Sequence, residues 1–200
     1  MSKSVQFLFD FGSPAAYLAW TQLPRLVADT GASVDYQPIL LGGVFQASGN
    51  RAPITVPAKG RYLFQDLDRY ARQYGVPLVM NPHFPINTIT LMRIDVALLE
   101  AGQAPLQAWR DAAFRAIWAE QRNLGDATVV AEVLGSVGLD APAVLAMAVE
   151  PSVKESLRLR TQQAVDRGVF GAPTFFVGEA MFWGQDRLDF VRAALQGTLK

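Results

Sequence analysis

Two hundred residues, half of them hydrophobic, suit one domain with or without a sizeable insertion. Eighteen basic residues balance eighteen acidic ones and no basic stripe stands out, which argues against a nucleic-acid partner. The chain has no cysteine and one histidine, His83, so disulfides, thiolate metal sites, cysteine nucleophiles and multi-histidine metal sites are excluded. A serine triad would have to use His83. An enzyme built from this chain is left with carboxylates, hydroxyls, Lys, Tyr, or a cofactor that brings its own reactive group. Met1-Ser2-Lys3-Ser4 leads into an apolar run of strand length rather than a secretory leader, and no stretch reaches the roughly 18 apolar residues of a membrane helix. The expected setting is cytoplasmic, without membrane contact.

Val5 to Phe11 is nearly all apolar and reads as a strand buried on both faces. Gly12 then turns the chain and Ser13-Pro14 opens a helix that runs to about Asp29, stopped by Thr30-Gly31. Pro is tolerated at a first helical position, and Ser13 is a preferred cap because its oxygen accepts from the free N–H groups of the first turn. Those same N–H groups, at the positive end of the helix dipole, suit an anion. Ser13 can therefore serve the fold, a ligand, or both. Ser33 to Pro38 alternates like a second strand, so the chain opens as β-α-β with a right-handed crossover.

Leu41 to Arg51, with Gly42-Gly43 and Gly49, reads as a polar, Gly-rich loop that connects elements or covers a ligand. Pro57 to Tyr74 reads as a helix with Tyr62, Leu63, Leu67, Tyr70 and Tyr74 along one side. Gly75-Val76-Pro77 ends it, and Asn81-Pro82-His83-Phe84-Pro85 is a rigid loop. Helical periodicity follows over Thr88–Ala101, Leu106–Trp118 and Asp126–Ser136. Two more helices begin at the caps Asp140 and Ser152. Trp109, Phe114 and Trp118 belong to the core of this helical segment. Thr174–Val177 and Ala180–Trp183 read as an antiparallel pair, and Leu188, Val191 and Leu195 mark a last helix. The fold class is α/β: a β-α-β…β-β-α sheet with an inserted all-helical domain. Residues 1–55 and 168–200 form the sheet unit and 56–167 the insertion.

Several blocks, spread over residues 9 to 187, resemble one family. They are Phe9-Asp10-Phe11-Gly12-Ser13-Pro14-Ala15-Ala16-Tyr17-Leu18, Ser48-Gly49-Asn50-Arg51, Lys59-Gly60-Arg61-Tyr62, Tyr74-Gly75-Val76-Pro77, Gly168-Val169-Phe170-Gly171-Ala172-Pro173-Thr174 and Phe182-Trp183-Gly184-Gln185-Asp186-Arg187. Their order is similar to that of the thioredoxin-like group holding 2-hydroxychromene-2-carboxylate isomerases and kappa-class glutathione transferases. Redox relatives carry a reactive cysteine where this chain has Ser13.

The resemblance implies that glutathione supplies the missing thiol and that Ser13 stabilises its thiolate. It implies a cis proline at Pro173, with the Ala172 backbone pairing with the cysteinyl part of glutathione. It also places Asn50, Trp183, Gly184, Gln185 and Asp186 around glutathione, with a homodimer as the assembly. Arg51, Lys59 and Arg61 are candidates for the carboxylate of an aromatic-derived substrate, and His83 and Phe84 for further substrate contact. Each position has a plain structural reading too. Ser13 and Asp186 suit helix caps, Asn50 suits a loop, and His83 suits the surface. The implied activity is cis-trans isomerisation. The alternatives are transfer of glutathione to an electrophile, or glutathione binding without turnover.

Overall fold

A computed structural model describes residues 3–102 and 105–199. Met1, Ser2 and Lys200, the outermost residues of the expected sheet unit, lie outside the described residues. The element order is β1 (Ser4–Phe9), α1 (Pro14–Thr30), β2 (Ser33–Pro38), α2 (Leu41–Ser48), α3 (Pro57–Tyr74), α4 (Ile89–Glu100) and α5 (Leu106–Trp118). Then follow α6 (Ala127–Ser136), α7 (Ala141–Ala148), α8 (Pro151–Asp166), β3 (Thr174–Val177), β4 (Ala180–Trp183) and α9 (Leu188–Gln196). Short 3-10 turns occupy Pro53–Thr55 and Gln185–Arg187.

The four strands lie in the order β2-β1-β3-β4. β1 and β2 are parallel, whereas β3 runs antiparallel to β1 and β4 antiparallel to β3. This is the expected β-α-β…β-β-α sheet. Successive strand residues point to opposite faces, so β1 serves two layers at once. Val5, Phe7 and Phe9 join a large buried cluster with Trp20, Leu23, Phe114 and Phe175. Leu8 points the other way, onto Ile39, Val44, Ala164 and Phe176, under α2 and α8.

Several expectations shift. β1 stops at Phe9 rather than Phe11 because Asp10 bends the chain: its Oδ1 accepts from the Gly12 N–H at 2.9 Å, and its carbonyl accepts from the Ser13 N–H at 3.0 Å. The stretch expected as a loop at Leu41 is helix α2, two glycines notwithstanding. Its first turn is anchored by Asp10 Oδ2, which accepts from the Leu41 N–H at 2.8 Å. Gly43 lets it press on α8, since a Cβ there would sit 3.2 Å from Thr161 Cγ2. α8 begins at Pro151 with Glu150 before it, so Ser152 is not the cap. Tyr62 leaves the expected buried side of α3 and is 61% exposed. Asp126 and Asp140 do cap their helices, accepting from Thr128 and Ala143 N–H.

The helical segment is tied to the sheet by polar contacts sunk in the core. Arg110 on α5 makes a two-pronged pair with Asp95 on α4, Nε to Oδ1 at 2.8 Å and Nη2 to Oδ2 at 2.7 Å, with both side chains buried. The Arg110 guanidinium also lies 4.8 Å from the centre of the Tyr36 ring on β2. A buried pair contributes little net stability over an apolar replacement, but removing one partner strands the other charge. Arg110→Met is therefore expected to lower stability by about 3–5 kcal/mol. Asp95→Leu combined with Arg110→Met should lose much less. Urea unfolding of the single and double variants checks this, and equal losses in both would refute it.

Candidate active site

The site forms where the turn after β1 meets the loop before β3. Ser13 is buried at the start of α1, and its Oγ accepts from the Ala16 N–H at 3.1 Å, as a helix cap should. It also donates to the Ala172 carbonyl at 3.0 Å, from 159 residues away. That distance is long for a hydroxyl donor, and a hydroxyl proton swings freely about its C–O bond. The proton is thus available to an acceptor arriving in the cleft. Pro14 has no N–H to offer. Among the described residues, the N–H groups of Ala15 and Ala172 have no hydrogen-bond partner.

The Ala172-Pro173 bond is cis, as the resemblance implies. The Pro173 carbonyl accepts from the Gly184 N–H at 3.0 Å, which brings the end of β4 beside the Ala172 backbone. Gly184 has φ 104° and ψ 150°, a region essentially open to glycine alone. A Cβ there would collide with Asp186 Oδ1, so glycine also sets where that carboxylate sits. The Tyr74 hydroxyl donates to the Gln185 carbonyl at 3.3 Å, fixing the Gln185–Arg187 turn against α3. Burial pushes the Tyr74 hydroxyl up to about 12, so it remains a donor across the physiological range.

These segments border one cleft of about 400 Å³. Ser13, Asn50, Arg51, Lys59, Phe84, Ala172, Trp183, Gly184, Gln185 and Asp186 all line it. Asn50 is held by its Nδ2 donating to the Phe170 carbonyl at 2.8 Å, and its Oδ1 accepts from the Arg51 N–H at 2.8 Å. Trp183 packs on Phe170 with ring centres 5.0 Å apart and is 47% exposed at the rim. Pro173 is buried behind Ala172 rather than in the wall. His83 and Arg61 are exposed and lie outside the cleft wall. Among the described residues, Arg51 and Lys59 form no ion pair, whereas Asp66 and Asp186 are paired with Arg69 and Arg187.

The sequence reading missed the apolar half of the wall. Leu41 and Phe45 come from α2, Pro53 and Ile54 from the following turn, and Leu63 and Leu67 from α3. The spacing of Leu41 and Phe45, four residues apart, was the available signal for a helical face. The cleft therefore has a donor-rich floor at Ser13 and Ala172, two unpaired cations at one rim, and an apolar side. Phe84, which meets Phe64 edge-on and Trp118 at a tilt, belongs to that side. Such a mixture suits a small molecule with an anionic group and an apolar part.

The strand order, the cis proline and the helix-capping serine define a thioredoxin-like protein whose nucleophile position holds a hydroxyl. The family model for the DSBA-like thioredoxin domain matches residues 4–196. The chain belongs to this family of enzymes, in the group that holds 2-hydroxychromene-2-carboxylate isomerases and kappa-class glutathione transferases. It is 36% identical over 197 residues to the 2-hydroxychromene-2-carboxylate isomerase of Sphingobium xenophagum, covering 98% of this chain and 99% of that one. It is 30% identical to glutathione S-transferase kappa 1 of Caenorhabditis elegans, covering 96% and 90%. A solved 2-hydroxychromene-2-carboxylate isomerase superposes with a TM-score of 0.84 at 34% identity, covering 97% of this chain and 95% of that one.

Asp10 underlies this cleft without lining it. Burial pushes its carboxyl above the ordinary carboxylate value. Hydrogen bonds from the Gly12 and Leu41 N–H groups and the Thr88 hydroxyl pull it partly back. The unfolded chain therefore releases this proton at lower pH than the folded chain, and between the two values rising pH lowers stability through this group. Asn at position 10 has one acceptor oxygen in place of two, so Asp10→Asn leaves a Gly12 or Leu41 N–H unpaired. A stability loss of about 1–3 kcal/mol is expected, together with loss of that group's share of the pH slope. Urea unfolding across acid to neutral pH checks both, and unchanged stability with an unchanged slope would refute the assignment.

Proposed function

We propose that the chain is a glutathione-dependent cis-trans isomerase acting on 2-hydroxychromene-2-carboxylate, giving trans-o-hydroxybenzylidenepyruvate in aromatic catabolism. The observation that carries this reading is the meeting of the Ser13 hydroxyl with the free Ala15 and Ala172 N–H groups in one cleft of a chain without cysteine. Glutathione brings a thiol whose reversible addition to a conjugated double bond lets that bond rotate, with no net consumption of the tripeptide.

The chain's own residues have four tasks in this reading. Ser13 turns its hydroxyl from the Ala172 carbonyl toward the bound sulfur, and the start of α1 adds its positive dipole end. A free thiol with a pKa of about 8.5 is mostly protonated near neutrality, and each unit of lowering is worth roughly 1.4 kcal/mol. The Ala172 N–H and C=O pair with the peptide in strand fashion. The Gln185 and Asp186 N–H groups and the Asp186 carboxylate take the zwitterionic γ-glutamyl end, and Asn50 and Trp183 close over it. Arg51 and Lys59, which form no ion pair among the described residues, receive the substrate carboxylate, with Phe84 and Phe45 beside its ring. The setting is the cytoplasm, where glutathione is kept reduced. The relatives support the isomerase first, since the kappa-class transferase is the more distant match.

Incubation with 2-hydroxychromene-2-carboxylate, with and without glutathione, tests the reading. Acceleration that requires glutathione and leaves total thiol unchanged supports it. Stoichiometric thiol loss to a conjugate would instead support the transferase, and binding without turnover a non-catalytic role. Ser13→Ala is expected to raise the pKa of bound glutathione by about one unit and to lower turnover about tenfold or more. Ultraviolet titration of the bound thiolate and steady-state rates check this. An unaltered thiolate pKa and rate would remove Ser13 from its assigned role.

A further inference from the structure

A second, larger cavity lies on the other side of α2. Leu41 and Phe45 face the cleft described above, whereas Gly43, Gln46 and Ala47 face this one. It spans about 760 Å³ between α2, α4 and α8. Leu40, Ile89, Leu157 and Val165 give it an apolar lining. None of the residues assigned to the first cleft lines it.

Three cations border this cavity. Arg158 is engaged by Glu155, with hydrogen bonds of 2.8 Å from Nε and 2.7 Å from Nη2. Arg93 and Lys154 form no ion pair among the described residues. Arg93 is half-buried on α4, and its Nε is shielded from water without a hydrogen-bond partner. A charged donor withdrawn from water with no acceptor is costly, and an apolar side chain would fill the same place more cheaply. Two uncompensated positive charges over an apolar lining are what an amphipathic anion requires. The guanidinium fork in particular matches a carboxylate.

We propose that this cavity is a second binding site, for a small organic anion with an apolar body such as an aromatic carboxylate. The anionic group pairs with Arg93 and Lys154, and the apolar body lies on Leu157 and Val165. The volume falls within the range of small-molecule sites, about 300–1,000 Å³. This site stands independently of the reaction assigned to the first cleft, because it shares none of that cleft's residues.

The test is fluorescence titration of the native protein with 8-anilinonaphthalene-1-sulfonate, an apolar anion, with benzoate as competitor. The wild-type chain should bind the probe at one saturable site that benzoate displaces and glutathione does not. Arg93→Gln should weaken binding roughly tenfold, and Lys154→Gln by a smaller factor. Lys59→Gln, in the first cleft, should leave it unchanged. Circular dichroism and sedimentation of each variant show whether fold and mass are kept. Four results would each overturn the proposal: no saturable binding, displacement by glutathione, unchanged binding in both Arg93→Gln and Lys154→Gln, or a change of mass in Arg93→Gln. The last would make the cavity an interface between copies of the chain.

Discussion

The carboxylate of Asp10 is the constraint on which the site depends. It is 1% exposed, and an unpaired carboxylate so deeply buried would be very unfavourable. The chain meets this by closing around it. The Gly12 N–H comes from the turn that delivers Ser13, and the Leu41 N–H from the first turn of α2, 31 residues on. One side chain thus fixes two walls of the cleft. The turn cannot relax without releasing Gly12, and α2 cannot drift without releasing Leu41. Gly12 itself lies close under Thr88, since a Cβ there would sit 3.1 Å from Thr88 Cγ2, so the helical segment presses on the same turn. The neighbouring Phe11 carbonyl is taken by Trp118 Nε1 at 2.8 Å, which adds a second polar link from α5.

The remaining links follow the same pattern of polar groups closing long loops. The Tyr17 hydroxyl donates to the Pro77 carbonyl at 2.7 Å, and Trp20 Nε1 donates to Asp111 Oδ1 at 2.7 Å. The first joins α1 to the loop after α3, and the second joins α1 to α5. The cleft is consequently a junction of chain-distant pieces held by a few directional bonds. Apolar contact alone would permit many small slides of helix on sheet, whereas these bonds select one. That selectivity matters where a hydroxyl, an amide and a carboxylate must meet one small molecule together.

Local signals in the sequence carried the strands and most helices. Ser13, Asp126 and Asp140 each announce a helix start, and Gly31 and Gly75 take the left-handed conformation that ends α1 and α3. The errors arose where tertiary contact outweighed propensity. Gly42-Gly43 disfavours helix, yet the Asp10 anchor and the close approach to Thr161 make α2 helical. Asp10 read as the end of a strand, and nothing local says that its carboxylate reaches Leu41. The convergence of Ser13 with Ala172 is likewise invisible to periodicity, because residues 159 apart share no local pattern. It became readable only through resemblance to a family in which those blocks recur. The apolar wall at Phe45 and Ile54 was lost with α2, and His83 is exposed and outside the cleft wall although its neighbour Phe84 lines it.

A thioredoxin-like frame with serine at the start of α1 offers a hydroxyl there and no thiol of its own. The frame offers a buried helix start, a proline in cis and, among the described residues, unpaired Ala15 and Ala172 N–H groups, features that suit an anion. With cysteine the sulfur is covalently present and the site cycles between thiol and disulfide. With serine at that position the chain holds no sulfur nucleophile, and Ala172 and the Gln185–Arg187 turn meet Ser13 around one cleft. On the other half of the cleft Arg51 and Lys59, which form no ion pair among the described residues, lie beside an apolar wall, and α2 carries part of that wall on one face while its opposite face borders the cavity of Arg93. Gly43 keeps α2 close against α8, since a Cβ there would sit 3.2 Å from Thr161 Cγ2, so one short element borders both chambers.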